Sequence, residues 1–295
     1  MGHIVVGIDD SKGAEHLLGV ALQEAAARGV NVRVLHTWRP PVPMEAYPVL
    51  GYDVACASEQ RVGEDRMAAV VAAAGSTPGV NVTVDVRSGD AGSALAEAST
   101  SADLVVIGQR SHGAFMTALV GSATGYVLHH AHCAVLVVPP QTGPTLAWSR
   151  VVVGVDGSPG SQGALRWAAA EAFRYGCPLV VLHAWILNVS PVWPIGASFA
   201  FPEDHLGTLQ AWLDAEVEAC GVDRSQVSVQ TRVVRGYAAG ALLESLQPTD
   251  LLVVGSRGHG GFSDLVLGSV ASQCVHHAHA AVAVVRPVVS PSQPD

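Results

Sequence analysis

One constant shift lays the two halves of this 295-residue chain on each other. Moving back 147 positions takes Gly255 to Gly108, Gly268-Ser269 to Gly121-Ser122, and Gly154-Val155-Asp156 to Gly7-Ile8-Asp9. The same shift takes Leu182-His183-Ala184-Trp185 to Leu35-His36-Thr37-Trp38, and His276-His277-Ala278-His279 to His129-His130-Ala131-His132. A unit of this length exceeds any solenoid repeat and falls in the usual size range of a single domain. The chain therefore reads as two copies of one domain, each able to bury its own core. The segment Pro139-Pro140-Gln141-Thr142-Gly143-Pro144 neither extends a strand nor opens a helix easily, and it sets the domains at 1–143 and 144–295.

Hydrophobic periodicity gives each copy the same order. His3 to Ile8 is a short β-branched strand, and Ser11 opens a helix whose Ala14, Leu17, Leu18, Ala21, Leu22 and Ala25 share one face, with Gly29 as its stop. Val30 to His36 is the second strand, followed by a proline-rich loop from Arg39 to Ser58 and a helix carrying Val62, Met67, Val70, Val71 and Ala74. Val80 to Val86, Asp103 to Gly108 and Ala134 to Val138 are strands, with helices at Ala91 to Ser99 and Gly121 to Ala131 between them. Strands alternating with helices imply right-handed crossovers and a parallel sheet covered on both faces. In the second copy Ser158-Pro159 marks the cap and first turn of the first helix, and a second long loop runs from Ile186 to Pro202.

In an open α/β sheet the ligand crevice lies beyond the carboxyl ends of the strands, where the strand order switches. Three segments of each copy end there: the first strand's Gly-x-Asp (Gly7, Asp9; Gly154, Asp156), the second strand's end (Thr37; Ala184), and the glycine-rich stretch after the fourth strand. In Leu251 to Val270 an apolar run ends at Gly255, glycines recur at Gly258, Gly260 and Gly261, and Gly268-Ser269 opens a helix. Glycines let backbone N–H groups approach a ligand with no Cβ in the way. The helix start adds unsatisfied N–H groups, the positive end of a dipole and the Ser269 hydroxyl. This is how a phosphate site is built. Asp9 and Asp156 have two roles open, a ribose-hydroxyl acceptor and a helix-capping carboxylate.

Composition narrows the function. Lys and Arg number 16 against 25 Asp and Glu, a net charge of −9, which argues against a nucleic-acid surface but leaves room for a local anion site. The N-terminus MGHIVVGIDDS shows no basic-then-apolar leader, and no apolar run reaches the ~18 residues of a membrane span. A cytoplasmic protein with no membrane partner is expected. Cys56, Cys133, Cys177, Cys220 and Cys274 lack CxxC spacing and read as reduced, mostly buried thiols.

With the strand-end Asp and the spacing Gly255-x2-Gly258-x9-Gly268-Ser269 in view, the chain resembles the universal stress protein family in its tandem-domain, ATP-binding form. The resemblance spans both halves. It implies an α/β fold of two tandem Rossmann-like (adenine nucleotide alpha hydrolase-like) domains, each an open five-stranded, mainly parallel sheet with helices on both faces. It implies ATP as ligand, with or without Mg2+. Gly255, Gly258, Gly268, Ser269 and the Val270 N–H would hold phosphates, and Gly154, Asp156 and Ala184 would lie at the adenosine side. Arg257 and His259 have two roles open, reaching phosphate oxygens or standing as solvated loop charges. The first half departs from the pattern: Gly108 is followed three positions later by Ser111 rather than glycine, before Gly121-Ser122. The second-half site is thus the safer expectation; Ser111 has a second role open, donating its hydroxyl to phosphate with Gly113 supplying the backbone freedom, and two sites are still expected. The resemblance further implies that the fifth strands, Ala134 to Val138 and Ala281 to Val285, lie at sheet edges that need cover, with the halves packed as a pseudo-dimer and a possible homodimer beyond it.

The histidine clusters at 129–132 and 276–279 offer i, i+3 pairs, but they fall where a helix runs out, so contacts with the last carbonyls compete with a metal role. His36 and His183 read as packing residues of the second strand. No Walker lysine loop, HExxH or GxSxG elbow is present, so slow ATP turnover at most is expected, and a regulatory role toward a protein partner the sequence does not identify. An ATP-consuming hydrolase or transferase, and an interaction module without ligand, are the competing readings.

Overall fold

The structure, a computed structural model, describes residues 2–11, 13–39, 49–109, 120–140, 147–186, 205–258 and 267–286. Contacts divide it into two compact units, one running to Ala147 and taking in Ala281–Val284, the other holding Trp148–Ala280 and the residues from Val285. The first unit contains β1 (His3–Gly7), α1 (Ala14–Arg28), β2 (Asn31–Trp38), α2 (Val49–Ala74), β3 (Val82–Ser88), α3 (Ala91–Ala98), β4 (Leu104–Gly108), α4 (Ser122–His130) and β5 (Ala134–Val138). β1 pairs in parallel with β2 and β4, β2 with β3, and β4 with β5. Ala281–Val284 runs antiparallel to β5, with Val282 opposite Val137 and Val284 opposite Val135, so the apolar β5 edge is covered.

The second unit repeats the order with β6 (Val151–Gly154), α5 (Pro159–Tyr175), β7 (Leu179–Trp185), α6 (His205–Ala219), β8 (Val229–Arg235), α7 (Ala238–Ser245), β9 (Leu251–Gly255) and α8 (Ser269–His277), followed by β10 (Ala281–Val285). β6 pairs in parallel with β7 and β9, and β7 with β8. The central strands are unbroken β-branched runs because helices cover both faces: Ile4, Val5, Val6, Val151, Val152 and Val153 expose no surface. In each unit the order reverses at the first strand, between β1 and β4 and between β6 and β9. The crevice beyond those strand ends is where a ligand site belongs.

The helix stops follow the sequence. α1 closes on Gly29 at φ 66° and α5 on Gly176 at φ 61°, the left-handed conformation that glycine adopts without a Cβ penalty. Three expectations need correction. The stretch from Arg39 to Ser58 is not one loop, because α2 already begins at Val49; Pro48 is the last proline there, and beyond it every residue has an N–H to offer a helix. The second strand runs on to Trp38, since pairing with β3 continues through Trp38 opposite Ser88. Ser11 is not the cap of α1: Gly13 occupies that position without a side-chain bond, and the Ser11 carbonyl accepts from Ala14 N at 3.1 Å. In the second unit Ser158 is the cap, accepting from Ser161 N at 3.2 Å, with Pro159 in the first turn. Most of the loop from Ile186 to Pro202 lies outside the described residues. Among those described, no helix is long and apolar enough to cross a membrane.

The outer strand β3 is tied to β2 by charge. Arg87 Nε donates to Asp85 Oδ1 at 3.0 Å, and Arg33 Nε on β2 donates to Asp85 Oδ2 at 3.0 Å. The Arg87 guanidinium, joined by that of Arg33, holds the Asp85 carboxyl below the usual carboxylate range against the opposing effect of desolvation. A lowered folded-state pKa stabilises the fold above the unfolded value near ~3.9 and loses that contribution as pH falls through the folded value. Asp85→Asn is therefore expected to be less stable than wild type at pH 7, by up to about 1 kcal/mol for so exposed a cluster. The gap should close below about pH 4 in unfolding titrations; a gap independent of pH would show that the ion pairs contribute nothing.

Candidate functional site

Nine of the residues singled out in the second half surround one pocket of about 310 Å³, the lower end of the range for small-molecule sites. They are Gly154 and Asp156 after β6, Ala184 at the end of β7, Gly255, Arg257 and Gly258 after β9, and Gly268, Ser269 and Val270 at the start of α8. Its lining mixes apolar residues, Leu182, Ala184, Ala238, Leu242 and Val254 among them, with the polar Asp156, Ser161 and Ser269 and the glycine backbone.

The backbone sets the polar side. Ser256 N donates to Val285 O at 2.8 Å and Gly268 N to Ser256 O at 2.7 Å, which brings the start of α8 against the end of β9. Gly268 caps α8 in extended conformation with no side-chain bond, and the first bond of the helix runs from Ser272 N to Gly268 O at 2.9 Å. The N–H groups of Ser269, Val270 and Ala271 are thus those a helix cannot satisfy itself, and all three residues line the pocket. Together with the helix dipole they form an anion-binding end.

The glycines have different tasks. None of Gly255, Gly258 and Gly268 is among the positive-φ residues, so close approach, not backbone strain, explains them. A Cβ on Gly255 would lie 2.8 Å from the Gly160 carbonyl group, and one on Gly160 would collide with the Arg257 carbonyl oxygen. The loop after β9 therefore packs backbone to backbone on the first turn of α5. A Cβ on Gly258 would stand 2.5 Å from Asp156 Oδ2, and one on Gly154 2.9 Å from Leu242 Cδ1. Asp156 is not itself the helix cap: its Oδ1 accepts from Ser158 N at 3.0 Å and Ser158 Oγ at 2.6 Å, fixing the serine that caps α5. Its Oδ2 faces the Gly258 side of the pocket.

In the first half the same framework recurs. Gln109 N donates to Val138 O at 2.8 Å and Gly121 N to Gln109 O at 3.0 Å, drawing Gly108, Gly121 and Ser122 together. Gly7 makes room for Leu95 as Gly154 does for Leu242. Asp9 Oδ1 accepts from Ser11 N at 3.0 Å, and Thr37 is half-buried at the end of β2. Ser111 lies outside the described residues, as do His259, Gly260 and Gly261. Thr124 Oγ1 donates to Gly108 O at 2.8 Å, a bond its counterpart Ala271 cannot make.

Sequence reading missed Gly160, Ser161, Ala238 and Leu242. The pairing of Gly154 with Leu242 is repeated by Gly7 with Leu95, so the repeat itself carried that information. The histidines take structural partners. His36 Nδ1 lies 2.8 Å from Ile8 O and His183 Nδ1 2.8 Å from Val155 O, each tying the second strand to the end of the first. His130 and His276 approach the carbonyls of Tyr126 and Ser272 in the last turns of their helices. None of the five cysteines forms a disulfide.

The backbone packing gives a paired test. Gly160→Ala forces a methyl against the Arg257 carbonyl and is expected to lower stability by roughly 1–3 kcal/mol. Gly19→Ala, in the exposed interior of α1 with nothing within 4 Å, should raise it by about 1 kcal/mol. Denaturant unfolding of the two variants measures both, and equal effects would remove the proposed reason for Gly160.

A family model described as the Universal stress protein family matches residues 1–139 and again 147–286. A universal stress protein of Mycolicibacterium smegmatis is 35% identical over 289 residues, covering 96% of this chain and 97% of that one. Another, from Mycobacterium tuberculosis, is 31% identical over 316 residues, covering 99% and 97%. The crystal structure of a universal stress protein from Archaeoglobus fulgidus superposes with a TM-score of 0.65 at 20% identity, covering 97% of this chain and 96% of its own, and so supports the fold. The two matched halves, the relatives of equal length and the repeated strand-end framework place this chain in the universal stress protein family.

Proposed function

We propose that the second-half pocket binds an adenine nucleotide, ATP by preference, and that its occupancy regulates a protein partner during stress or growth adaptation in the cytoplasm. The observation that carries the reading is the uncapped start of α8, whose three N–H groups open onto the same pocket as the Asp156 carboxylate. Anionic phosphate suits the Ser269–Ala271 end, where backbone donors and the helix dipole act together. The Ser269 hydroxyl and the Gly258 N–H supply further donors there, with Arg257 on the exposed loop beside them. Asp156 Oδ2 suits a ribose hydroxyl, and the main chain at Ala184 suits an adenine edge, with Leu182 and Leu242 as its apolar bed.

Mg2+ would enter with the triphosphate, since the described residues hold no cluster of three or more His, Cys, Asp or Glu fit for a metal. The sequence has no Walker lysine of the kind that fast phosphoryl transfer sets on a γ-phosphate, and Arg257 stands exposed on its loop. Slow turnover at most follows. The first half keeps the framework with Gly7, Asp9, Thr37, Gly108, Gly121 and Ser122, and we read it as a second, weaker site. The reason is steric: the place of Gly258 is held there by Ser111, and in the second half a Cβ at that place crowds the strand-end carboxylate.

Thermal unfolding with and without ATP tests the reading in wild type and in Gly258→Glu. Ligand at ~100 times its dissociation constant stabilises by about 2.7 kcal/mol when it binds only the folded state. A clear rise in wild-type melting temperature that shrinks in the variant is expected, with any remainder assigned to the first half. No rise over a wide range of ATP concentration would overturn the proposal and favour an interaction module without ligand.

A further inference from the structure

The two halves differ sharply at one place on the rim of the crevice. In the first half Arg39, just past β2, forms an ion pair with Asp90, the residue that caps α3 by accepting from Ser93 N at 3.1 Å. The same positions in the second half are Ile186 and Tyr237. Tyr237 stands at the cap position of α7 and makes no side-chain capping bond. Ile186 is 48% exposed and Tyr237 76% exposed. An aspartate that caps a helix and pairs with an arginine has thus been replaced by a large ring in water. Helix stability does not explain that exchange, and a ring in water normally marks a surface that something covers.

The placement says what covers it. Trp185 stands opposite Arg235 in the β7–β8 pairing, and Gly236 N donates to Trp185 O at 2.9 Å, so Ile186 and Tyr237 both fall within two residues of the two paired strand ends. Ile186 follows Ala184 by two residues, just past the end of β7, and Tyr237 directly precedes Ala238; Ala184 and Ala238 both line the pocket. The exposed pair therefore adjoins two apolar residues of the pocket lining, Ala184 and Ala238.

We propose that Ile186 and Tyr237 form an outer shelf for the base of the bound nucleotide, making the second-half site selective for ligands that carry an aromatic ring rather than for phosphate anions as such. The inference rests on the nucleotide reading of this pocket. It also separates the halves chemically: the Arg39–Asp90 pair puts charge, and no ring, at these two positions of the first half.

Titration calorimetry on the full chain with ATP and with inorganic tripolyphosphate tests it. Wild type, Tyr237→Ala, Tyr237→Phe and the double variant Ile186→Arg/Tyr237→Asp, which installs the first-half pair, are compared after their ligand-free unfolding temperatures are shown to match. Tyr237→Ala and the double variant should weaken ATP binding about fivefold or more, the loss expected when a base loses its stacking ring. Tripolyphosphate affinity should change by less than twofold, and Tyr237→Phe should keep wild-type ATP affinity. Where tripolyphosphate binds too weakly to titrate, the contrast between the Phe and Ala variants decides. Unchanged ATP affinity in Tyr237→Ala, equal loss in the Phe variant, or parallel loss of ATP and tripolyphosphate overturns the shelf while leaving the pocket intact. A wild type that takes up neither probe overturns the nucleotide reading itself.

Discussion

Main chain meets main chain where the loop after β9 crosses the first turn of α5. Gly160 faces the Arg257 carbonyl and Gly255 faces Gly160, so no side chain larger than hydrogen fits on either. Because the two backbones touch, the residues that follow inherit fixed positions. Gly258 arrives beside Asp156, Gly268 bonds back to Ser256, and α8 begins with its free N–H groups over the crevice. A looser contact, with a methyl in between, would leave the strand-end carboxylate and the helix start as unrelated surface features. The site is a consequence of packing before it is a consequence of any ligating side chain.

Repetition within the chain separates what the fold requires from what a particular ligand requires. Both halves keep the glycine that admits a leucine from the third helix, the histidine that ties the second strand to the first, and the backbone bonds that seat the last helix. These serve the scaffold and survived in both copies. The halves part at Thr124 against Ala271, at Ser111 against Gly258, and at Arg39 and Asp90 against Ile186 and Tyr237. Of these, Gly258 and Ala271 line the second-half pocket, and Tyr237 directly precedes Ala238, which also lines it.

Much of this was legible before any coordinates. The constant shift of 147 between Gly108 and Gly255 disclosed two domains, and the alternation of β-branched runs with helical faces disclosed a doubly covered parallel sheet. The nine second-half residues chosen from strand ends, glycine spacing and the family resemblance fall around one pocket because the switch in strand order brings those ends together. Helix starts were less legible. Ser11 and Ser158 are equivalent serines, yet only Ser158 caps a helix: Pro159 presets its first turn, and Ser161 Oγ donates to the Ser158 carbonyl at 3.0 Å, a bond that Ala14, the counterpart of Ser161, cannot make. The start of α2 was hidden by the prolines before it. Gly160 was invisible because its task is defined by Arg257, nearly a hundred positions away, and no local pattern encodes such a contact.

Hydrogen exchange of the backbone amides, followed residue by residue with and without ATP, tests the central claim most directly. The account requires exchange to slow on ATP addition at Ser269, Val270, Ala271 and Gly258, whose N–H groups are to be taken up by phosphate. Amides inside β6 and β9, already bonded in the sheet, should be little changed. Protection confined to other segments, with the start of α8 exchanging as fast as before, would contradict it.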